Sequence, residues 1–484
     1  METKKSKRFL MTLVALYWAL VVMIYAIANE QFHYLAVSSD TFSPSYLVGE
    51  IVDGDVLRQK ITIPVDNVDS CELMVTAYNS VIMGQMNLRI QDNEEKIIAL
   101  SNIDFSEIKE GKYTRFQFDK PIEGRQGESM TLIITTVGCS PGNAVAFYAG
   151  NTVTAGRYDI AKSIAEEDCC NLNGVYGIGG LCVKLNGQEK ITFYKTYWAI
   201  VVCTFIALSG ACLHWWHLGL KGKNNILVML CTLVTKYGFL LRQLVARDFK
   251  TKYKRSLLGM AWSFLNPLLI MAVQYVVFST LFQSSIENYR IFLLTGIVFF
   301  NFFNEATGMC MTSITGNASL IKKVYMPKYI YPLSRIVSSL INFSLALIPL
   351  FLVMLLTGTP FRPSLLLLIF CILCQLGFTI GMGLLLTTSM TFFQDTQFLW
   401  GVLCMIWMYL TPIFYPESII PQNMLTFYHM NPLYQYITFA RICIIDGVSP
   451  APTAYLWCIV SSIIILLAGI LVFKKYQDRF VLNM

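Results

Sequence analysis

The sequence predicts a polytopic α-helical membrane protein of about eight spans, two plus six, with an inserted all-β sandwich domain. Of its 484 residues, 55% are hydrophobic and only 14% are charged, a composition outside the range of soluble globular domains. Apolar runs long enough to cross a hydrocarbon core of about 30 Å recur along the chain. Residues 28–195 differ from the rest, because they hold 14 Lys and Arg against 22 Asp and Glu, which leaves 23 basic and 8 acidic residues elsewhere.

The first apolar run, Phe9–Ile27, follows four basic residues, which predicts an anchor within residues 1–28 and a cytoplasmic N-terminus. Ala26-Ile27-Ala28 is also typical of a signal-peptidase site, so a cleaved signal peptide is the alternative. The run is longer than most signal-peptide cores, which favours an uncleaved anchor. Under both hypotheses residues 29–195 are extracytoplasmic.

The region 29–195 is predicted to be an antiparallel β-sandwich, because short alternating or β-branched runs recur between turn residues such as Asp53-Gly54 and Pro141-Gly142. The order of these runs resembles jelly-roll, galactose-binding-like modules. Sugars often stack on exposed aromatic rings, and this region has no tryptophan, so Tyr78, Tyr113 and Tyr148 are the glycan-binding candidates. The alternative is that these rings are packing residues and that the domain has a structural or assembly role. The runs are 59–63, 71–77, 86–90, 113–118, 130–135 and 144–148.

Cysteine spacing suggests one disulfide and no metal site. Five cysteines lie in the β region, where an extracytoplasmic location permits disulfides, and Cys169 or Cys170 could pair with Cys182 as a loop staple. Cys371-Ile-Leu-Cys374 has metal-site spacing but lies in an apolar run without a second ligand pair, so packing is the better interpretation.

The second part of the chain is predicted to hold a transmembrane helix at 196–217, a cytoplasmic linker with an amphipathic helix at 218–256, and a six-span domain at 257–484. The basic loop 313–329 and the basic tail place both termini in the cytoplasm. Five prolines make 416–453 too broken for one span, so re-entrant or interfacial helices are expected there. The six spans are predicted at 257–282, 289–312, 330–356, 364–390, 398–415 and 454–473.

Charged residues next to and within the spans are the functional candidates. Arg247, Lys250, Lys254 and Arg255 lie on the polar side of the amphipathic helix and suit an anionic head group. Ordinary anchoring to lipid phosphates is the alternative. Glu305 is the clear acidic exception inside the spans, and an intramembrane carboxylate is a functional candidate by default.

No catalytic motif accompanies these features. The sequence has no G-x-x-x-x-G-K-[ST], H-E-x-x-H or G-x-S-x-G pattern, so we expect no enzyme, no cofactor and no nucleotide hydrolysis through the phosphate-loop motif.

Several separated motifs in the second part occur in a recognisable order. They are RDFKTKYKRSLLGMAWSFLNPLL at 247–269, LIKKVYMP at 320–327, FQDT at 393–396, LTPIFYP at 410–416 and NPL at 431–433. With these motifs the second part resembles the ABC-2 permeases that export lipid-linked polysaccharides such as O-antigen, capsule and teichoic acid.

The resemblance implies a homodimer in the bacterial cytoplasmic membrane that moves a polyprenyl-diphosphate-linked glycan and works with two copies of a separate ABC ATPase. It makes the amphipathic helix within 218–256 a gate helix beside the substrate entrance. It implies membrane lipids as partners and no nucleic acid. The residues expected to couple to the ATPase are Leu320, Ile321, Lys322, Lys323, Tyr325 and Asp395, and the pore-lining candidates are Phe299, Phe302, Phe303, Glu305, Trp407 and Tyr409.

Two alternatives stay open from the sequence. One is an ABC-2 exporter of drugs or small lipids, against which the gate-helix signature favours polysaccharide. The other is a membrane-anchored surface glycan-binding protein without transport, against which the six-span signature argues.

Overall fold

A computed structural model describes most of the chain, and two compact units follow from its internal contacts. Glu30–Tyr194 form one unit, and Met1–Asn29 together with Lys195–Met484 form the other. The finer division predicted from the sequence, with boundaries at 28, 195, 217 and 256, stays a prediction. The described residues are 3–39, 41–42, 44–77, 84–108, 112–150, 153–155, 158–160, 169–177, 179–220, 236–253, 259, 261–282, 288–323, 326–417 and 420–482.

The first unit is all-β, as the alternating runs predict. All six predicted runs coincide with strands to within a few residues at their ends. The strands are β1 Tyr34–Ser38, β2 Thr41–Phe42, β3 Tyr46–Leu47, β4 Val56–Thr62, β5 Asn67–Ala77, β6 Gln85–Gln91, β7 Ile97–Asp104, β8 Lys112–Glu123, β9 Ser129–Val137, β10 Val145–Gly150, β11 Val153–Ala155, β12 Tyr158–Ile160, β13 Asn171–Leu172, β14 Val175–Tyr176, β15 Gly180–Leu181 and β16 Val183–Lys190.

Two large antiparallel sheets supply the core of this unit. One contains the path β1-β16-β5-β10-β15, with β3 paired to β10 and β8 paired to β5. The other has the order β14-β13-β4-β9-β6-β7, and β12-β11-β2 form a small third sheet. Alternation decides which face each strand buries: Met130, Leu132 and Ile134 of β9 enter the core while the residues between them do not.

The possible loop staple between Cys182 and either Cys169 or Cys170 does not form in the described structure. All three are thiols rather than disulfide partners, and all three are buried. The Cys170 side chain interacts with Tyr46, while Cys182 lies in the sheet between β15 and β16, so their environments differ. Burial raises the pKa of the Cys182 thiol to about 12, which keeps it protonated near neutral pH.

The second unit is helical and supports the predicted membrane class. Seven helices are long and apolar enough to cross a membrane, and Thr396–Leu410 is a shorter apolar helix. The helices are α1 Thr3–His33, α2 Phe193–Leu220, α3 Gly238–Tyr253, α4 Ala261–Phe282, α5 Tyr289–Met311, α6 Ala318–Lys323, α7 Ile330–Leu356, α8 Leu368–Phe392, α9 Thr396–Leu410, α10 Gln422–His429, α11 Pro432–Arg441 and α12 Pro452–Tyr476. Helix α1 ends a few residues after the β unit begins, and α2 begins just before the β unit ends.

The predicted span 398–415 is shorter in the structure, because α9 ends at Leu410. Pro412 has no backbone N–H to continue a helix, and the carbonyls of Pro412 and Ile413 turn to Arg441 instead. The segment 416–453 forms two short helices and a π-helical turn at Ile442–Asp446, so no single helix spans it.

Small residues let α8 and α12 pack closely. A Cβ atom on Gly469 would lie 2.2 Å from the Gly381 carbonyl oxygen, and one on Gly381 would lie 2.3 Å from the Ile465 carbonyl oxygen. Only glycine permits this backbone approach, which is a common way for helices to associate in membranes.

Candidate functional site

Four helices of the second unit line an open cavity of about 830 Å³ that contains several charged and amide side chains. Its walls come from α3, α4, α5 and α7 and from the turn that follows α5. The lining contains three cations, two carboxylates and four asparagines, so its formal charge is about +1. These residues are Arg247, Asp248, Lys252, Glu305 and Arg335, with Asn266, Asn301, Asn304 and Asn317.

A buried carboxylate joins α3 to α7. Asp248 is 7% exposed, and its Oδ1 lies 3.1 Å from Arg335 Nη1 and 3.2 Å from Arg247 Nη2. Arg247 Nη2 also donates to Asn317 Oδ1 at 3.1 Å. A charge this far from water requires partners, so the two arginines hold Asp248 in place.

The local sequence explains why Asp248 is buried. It follows Leu244 by four residues, and both side chains lie on the face of α3 that packs into the bundle. The structure therefore adds a buried acid to the predicted amphipathic helix.

A second ion pair joins α3 to α5. Lys252 Nζ lies 2.7 Å from Glu305 Oε1, and Asn342 Nδ2 of α7 donates to the same oxygen at 2.7 Å. The side chains of Lys252 and Glu305 are 42% and 31% exposed, so water still reaches the pair. Both residues also line a second cavity of about 310 Å³, which contains Trp262 and Phe302.

The predicted gate residues divide into three groups. Arg247 lines the large cavity, and Lys250 is exposed and outside its lining. Lys254 and Arg255 lie outside the described residues. The entrance role of all four stays a prediction.

Sequence reasoning missed Asp248, Lys252 and Arg335. A usable signal existed for two of them. Glu305 needs a cation inside a membrane, and Lys252 lies in the same basic segment as the predicted gate residues. Arg335 is the single charged residue in the apolar run 330–356.

The pore-lining candidates also separate. Phe302 and Glu305 line the second cavity, whereas Phe299 and Phe303 are completely buried. Phe303 packs against Phe378, Trp400 and Trp407, with centroid distances from 5.4 to 6.1 Å. In the described chain these rings form a packing cluster, while Tyr409 is exposed on α9. A pore-lining role for the six residues stays a prediction.

The predicted ATPase-coupling residues lie at the end of the bundle where α8 and α12 finish. Leu320 and Ile321 of α6 pack against a cluster that contains Ile314, Tyr331 and Phe480. Lys322 and Asp395 are exposed. The Lys323 side chain and Tyr325 are outside the described residues.

The two candidate glycan tyrosines that the structure describes are not fully exposed. Tyr113 lies under Lys184, whose Nζ is 4.1 Å from the ring centroid, and Tyr148 is half-buried on β10. Tyr78 is outside the described residues. Their sugar-binding role stays a prediction.

A buried arginine organises the broken segment after α9. Arg441 donates to the carbonyl oxygens of Phe292, Pro412 and Ile413 at 2.7 to 3.3 Å, and its guanidinium carbon lies 3.4 Å from the Phe292 ring centroid. Gly296 leaves room for it, since a Cβ there would be 2.9 Å from Arg441 Nη2. Sequence reasoning missed this residue.

Comparison with known proteins places these helices in one family. A family model described as ABC-2 type transporter matches residues 239–445, from the start of α3 to the π-helical turn after α11. The O-antigen export system permease protein RfbA of Klebsiella pneumoniae is 31% identical over 249 residues, which are 50% of this chain and 95% of that relative. The chain belongs to the ABC-2 type transporter family.

Other relatives agree with this assignment. RfbA of Myxococcus xanthus, also named an O-antigen export system permease protein, is 29% identical over 51% of this chain and 95% of its own. The capsule polysaccharide export inner-membrane protein CtrC of Neisseria meningitidis serogroup A is 22% identical over 48% of this chain and 89% of its own. The family match includes the charged cavity of this ABC-2 transporter chain and begins after its β unit.

Proposed function

We propose that this ABC-2 transporter chain is the permease of an exporter that carries a lipid-linked polysaccharide across the bacterial cytoplasmic membrane. The observation that carries the proposal is the cavity between α3, α4, α5 and α7, which combines cations with asparagine amides. The relatives named for O-antigen and capsule export support the same substrate class.

The cavity suits a ligand with an anionic head and a sugar next to it. Arginine and lysine bind phosphate oxygens through charge-assisted hydrogen bonds. Asparagine side chains both donate and accept hydrogen bonds, which matches sugar hydroxyls. Arg247 and Lys252 are the two cations from α3 that line it. A polyprenyl-diphosphate-linked glycan combines these chemical features.

The ion pair between Lys252 and Glu305 allows Lys252 to exchange one anionic partner for another. Lys252 is already paired with Glu305, which Asn342 also contacts. An incoming diphosphate competes with Glu305 for Lys252, and Asn342 continues to satisfy Glu305 as the lysine moves. This exchange leaves Glu305 with a hydrogen-bond donor after Lys252 has moved to the diphosphate.

Transport energy comes in this proposal from two copies of a separate ATPase. The ATPase docks at the end of the bundle that contains α6 and the start of α9, where Lys322 and Asp395 are exposed. Leu320 and Ile321 pack against residues of α7, α8 and α12, so a displacement of α6 is transmitted to these helices. This end is cytoplasmic in the proposal, as are both termini.

The permease is a homodimer in this proposal, and the β unit is extracytoplasmic. Helix α9 exposes an apolar surface that must meet lipid or a second copy, including Phe398, Val402 and Ile406. A glycan is too long to pass through one narrow bundle, and a path between two copies removes that restriction.

The test is export in the native host by the variant Arg247→Glu/Lys252→Glu. We expect full-length lipid-linked glycan to accumulate in the inner leaflet and surface glycan to fall, while membrane abundance and co-purification of the ATPase stay normal. Normal surface glycan in this variant, or in a strain without the chain, would reject the polysaccharide proposal and favour drugs or small lipids.

Arg242→Glu is the matched control, because it makes the same charge change on the same helix, outside the cavity lining and outside the predicted gate residues. If the cavity binds the substrate, Arg242→Glu leaves export near normal. If the helix acts only by anchoring to anionic lipid, Arg242→Glu reduces export as much as a single change at Lys252 does.

A further inference from the structure

The outward face of the six-stranded sheet in the β unit carries a row of basic and apolar side chains. Arg58 of β4 and Arg89 of β6 both pair with Ile133 of β9, so the two arginines flank it on neighbouring strands. Leu100 of β7 pairs with Arg89 and extends the row. With a strand spacing of about 4.8 Å, the two arginine Cα atoms lie roughly 10 Å apart.

The next rows of this face are polar. Lys60 pairs with Thr131, which pairs with Gln91, and on the other side Thr135 pairs with Asn87. Across the outward positions of the described strands of this sheet, Asp104 at the corner of β7 is the single carboxylate.

The charge of this face is opposite in sign to the net charge of the β unit. Residues 28–195 have 22 acidic against 14 basic residues, so a basic face here does not follow from overall charge. The other two arginines that the structure describes in this unit are paired: Arg115 lies 3.5 Å from Asp69, and Arg125 lies 3.3 Å from Glu128. Arg58 and Arg89 are exposed and form no ion pair with any described residue.

We infer that this face is a binding site for an acidic polysaccharide. Two arginine forks can each bind a carboxylate or phosphate of the polymer through paired hydrogen bonds. Ile133 and Leu100 offer apolar surface to the C–H faces of the sugar rings, and the threonine and amide side chains bind hydroxyls. The site is distinct from Tyr78, Tyr113 and Tyr148. The inference goes beyond the proposed export function and does not depend on it.

The experiment measures binding of polygalacturonate, with neutral dextran as the uncharged comparison, to the full chain in nanodiscs of neutral lipid. We expect polygalacturonate to bind, added salt to weaken the binding, and dextran not to bind. Arg58→Ala/Arg89→Ala should weaken binding by at least about tenfold, because both charge-assisted contacts are lost. Thermal unfolding of the variant checks that the β unit stays folded.

Arg115→Ala/Lys120→Ala is the matched control, because it removes two exposed positive charges from β8 in the other large sheet. Unchanged binding by this variant supports the assigned face, and an equal loss would mean that overall charge alone drives binding. No binding of polygalacturonate, binding unaffected by Arg58→Ala/Arg89→Ala, or equal binding of dextran would each overturn the inference. Tighter binding of anionic lipid vesicles through the same arginines would assign the face to a membrane surface and overturn it as well.

Discussion

Lys252 and Glu305 are 53 residues apart in sequence and meet at 2.7 Å on the wall shared by two cavities. Glu305 Oε1 also accepts from Asn342, so one carboxylate oxygen links α3, α5 and α7. A carboxylate at a site proposed for an anionic ligand acts as a competitor, because the ligand must displace it from Lys252.

Replacing Glu305 with glutamine should therefore strengthen binding of an anionic head group. An ion pair this exposed contributes up to about 1 kcal/mol, so the expected gain is up to about fivefold. Equilibrium binding of farnesyl diphosphate to the purified full chain measures it. Lys252→Gln should weaken binding, and Arg242→Gln, on the same helix but outside the cavity lining, should leave it unchanged. Weaker binding by Glu305→Gln would contradict the competitor role.

Replacing Arg441 should loosen the segment that follows α9. Arg441→Met leaves the carbonyls of Phe292, Pro412 and Ile413 without their donor, and each buried unpaired polar group costs about 1–3 kcal/mol. We expect a clear fall in the thermal unfolding midpoint in detergent, with a smaller fall for Arg441→Lys. Arg362→Met is the control, since Arg362 is exposed and donates to one carbonyl, that of Asp446. Similar losses for Arg441→Met and Arg362→Met would show that burial does not matter here.

Adding one methyl group at Gly469 should separate α8 from α12. The new Cβ would lie 2.2 Å from the Gly381 carbonyl oxygen, and because this is backbone, a helix must shift. Overpacking of this kind costs about 1–3 kcal/mol, which thermal unfolding in detergent detects. Gly401→Ala makes the same change on α9 where no neighbouring atom lies within 4 Å, and it should be neutral or slightly stabilising. Equal effects at both positions would count against close packing at Gly469.

The β6–β7 turn should depend on pH through Asp92. Hydrogen bonds from the backbone N–H groups of Lys96 and Glu94, together with the nearby Arg125, hold the pKa of the Asp92 carboxyl below its usual value. A lowered pKa in the folded state means that Asp92 stabilises the fold above the unfolded pKa of about 3.9, and that this contribution disappears as pH falls through the folded pKa.

Asp92→Asn should therefore destabilise the chain near neutral pH, and the difference from the unmodified chain should shrink in acid. Thermal unfolding followed by circular dichroism across this pH range measures it. Asp119→Asn is the control, because Asp119 has no hydrogen bond or ion pair within the described residues. A difference for Asp92→Asn that stays constant with pH would contradict the assigned cause.

Local sequence patterns were sufficient to predict most of the helices and strands. The predicted run 330–356 coincides with α7, and 130–135 lies inside β9, because hydropathy and side-chain alternation act within one segment. The helix in the span predicted at 398–415 ends at Leu410. The hydrogen bonds from Arg441 to the carbonyl oxygens of Pro412 and Ile413 come from another element, which the local sequence does not reveal. The staple to Cys182 failed for a similar reason, because spacing along the chain does not set the distance between thiols.

The site was only partly predictable. Arg247 and Glu305 were singled out as charges in unusual places, and the structure puts both on the large cavity. Asp248, Lys252 and Arg335 were missed because their ion-pair partners lie on other helices. Lys252 and Arg335 nevertheless stand out in the sequence as charges beside or within apolar runs.

The amino-acid sequence alone determined that this is a membrane protein with an all-β insert, since transfer of apolar runs out of water and alternation along strands are properties of single segments. The order of its motifs also indicated the ABC-2 family. Only the tertiary structure decided which cation meets which carboxylate, and that Arg58 and Arg89 flank Ile133 on one face. The physical reason is that electrostatic pairing depends on distances of a few ångströms, and packing sets these between residues that are far apart in sequence.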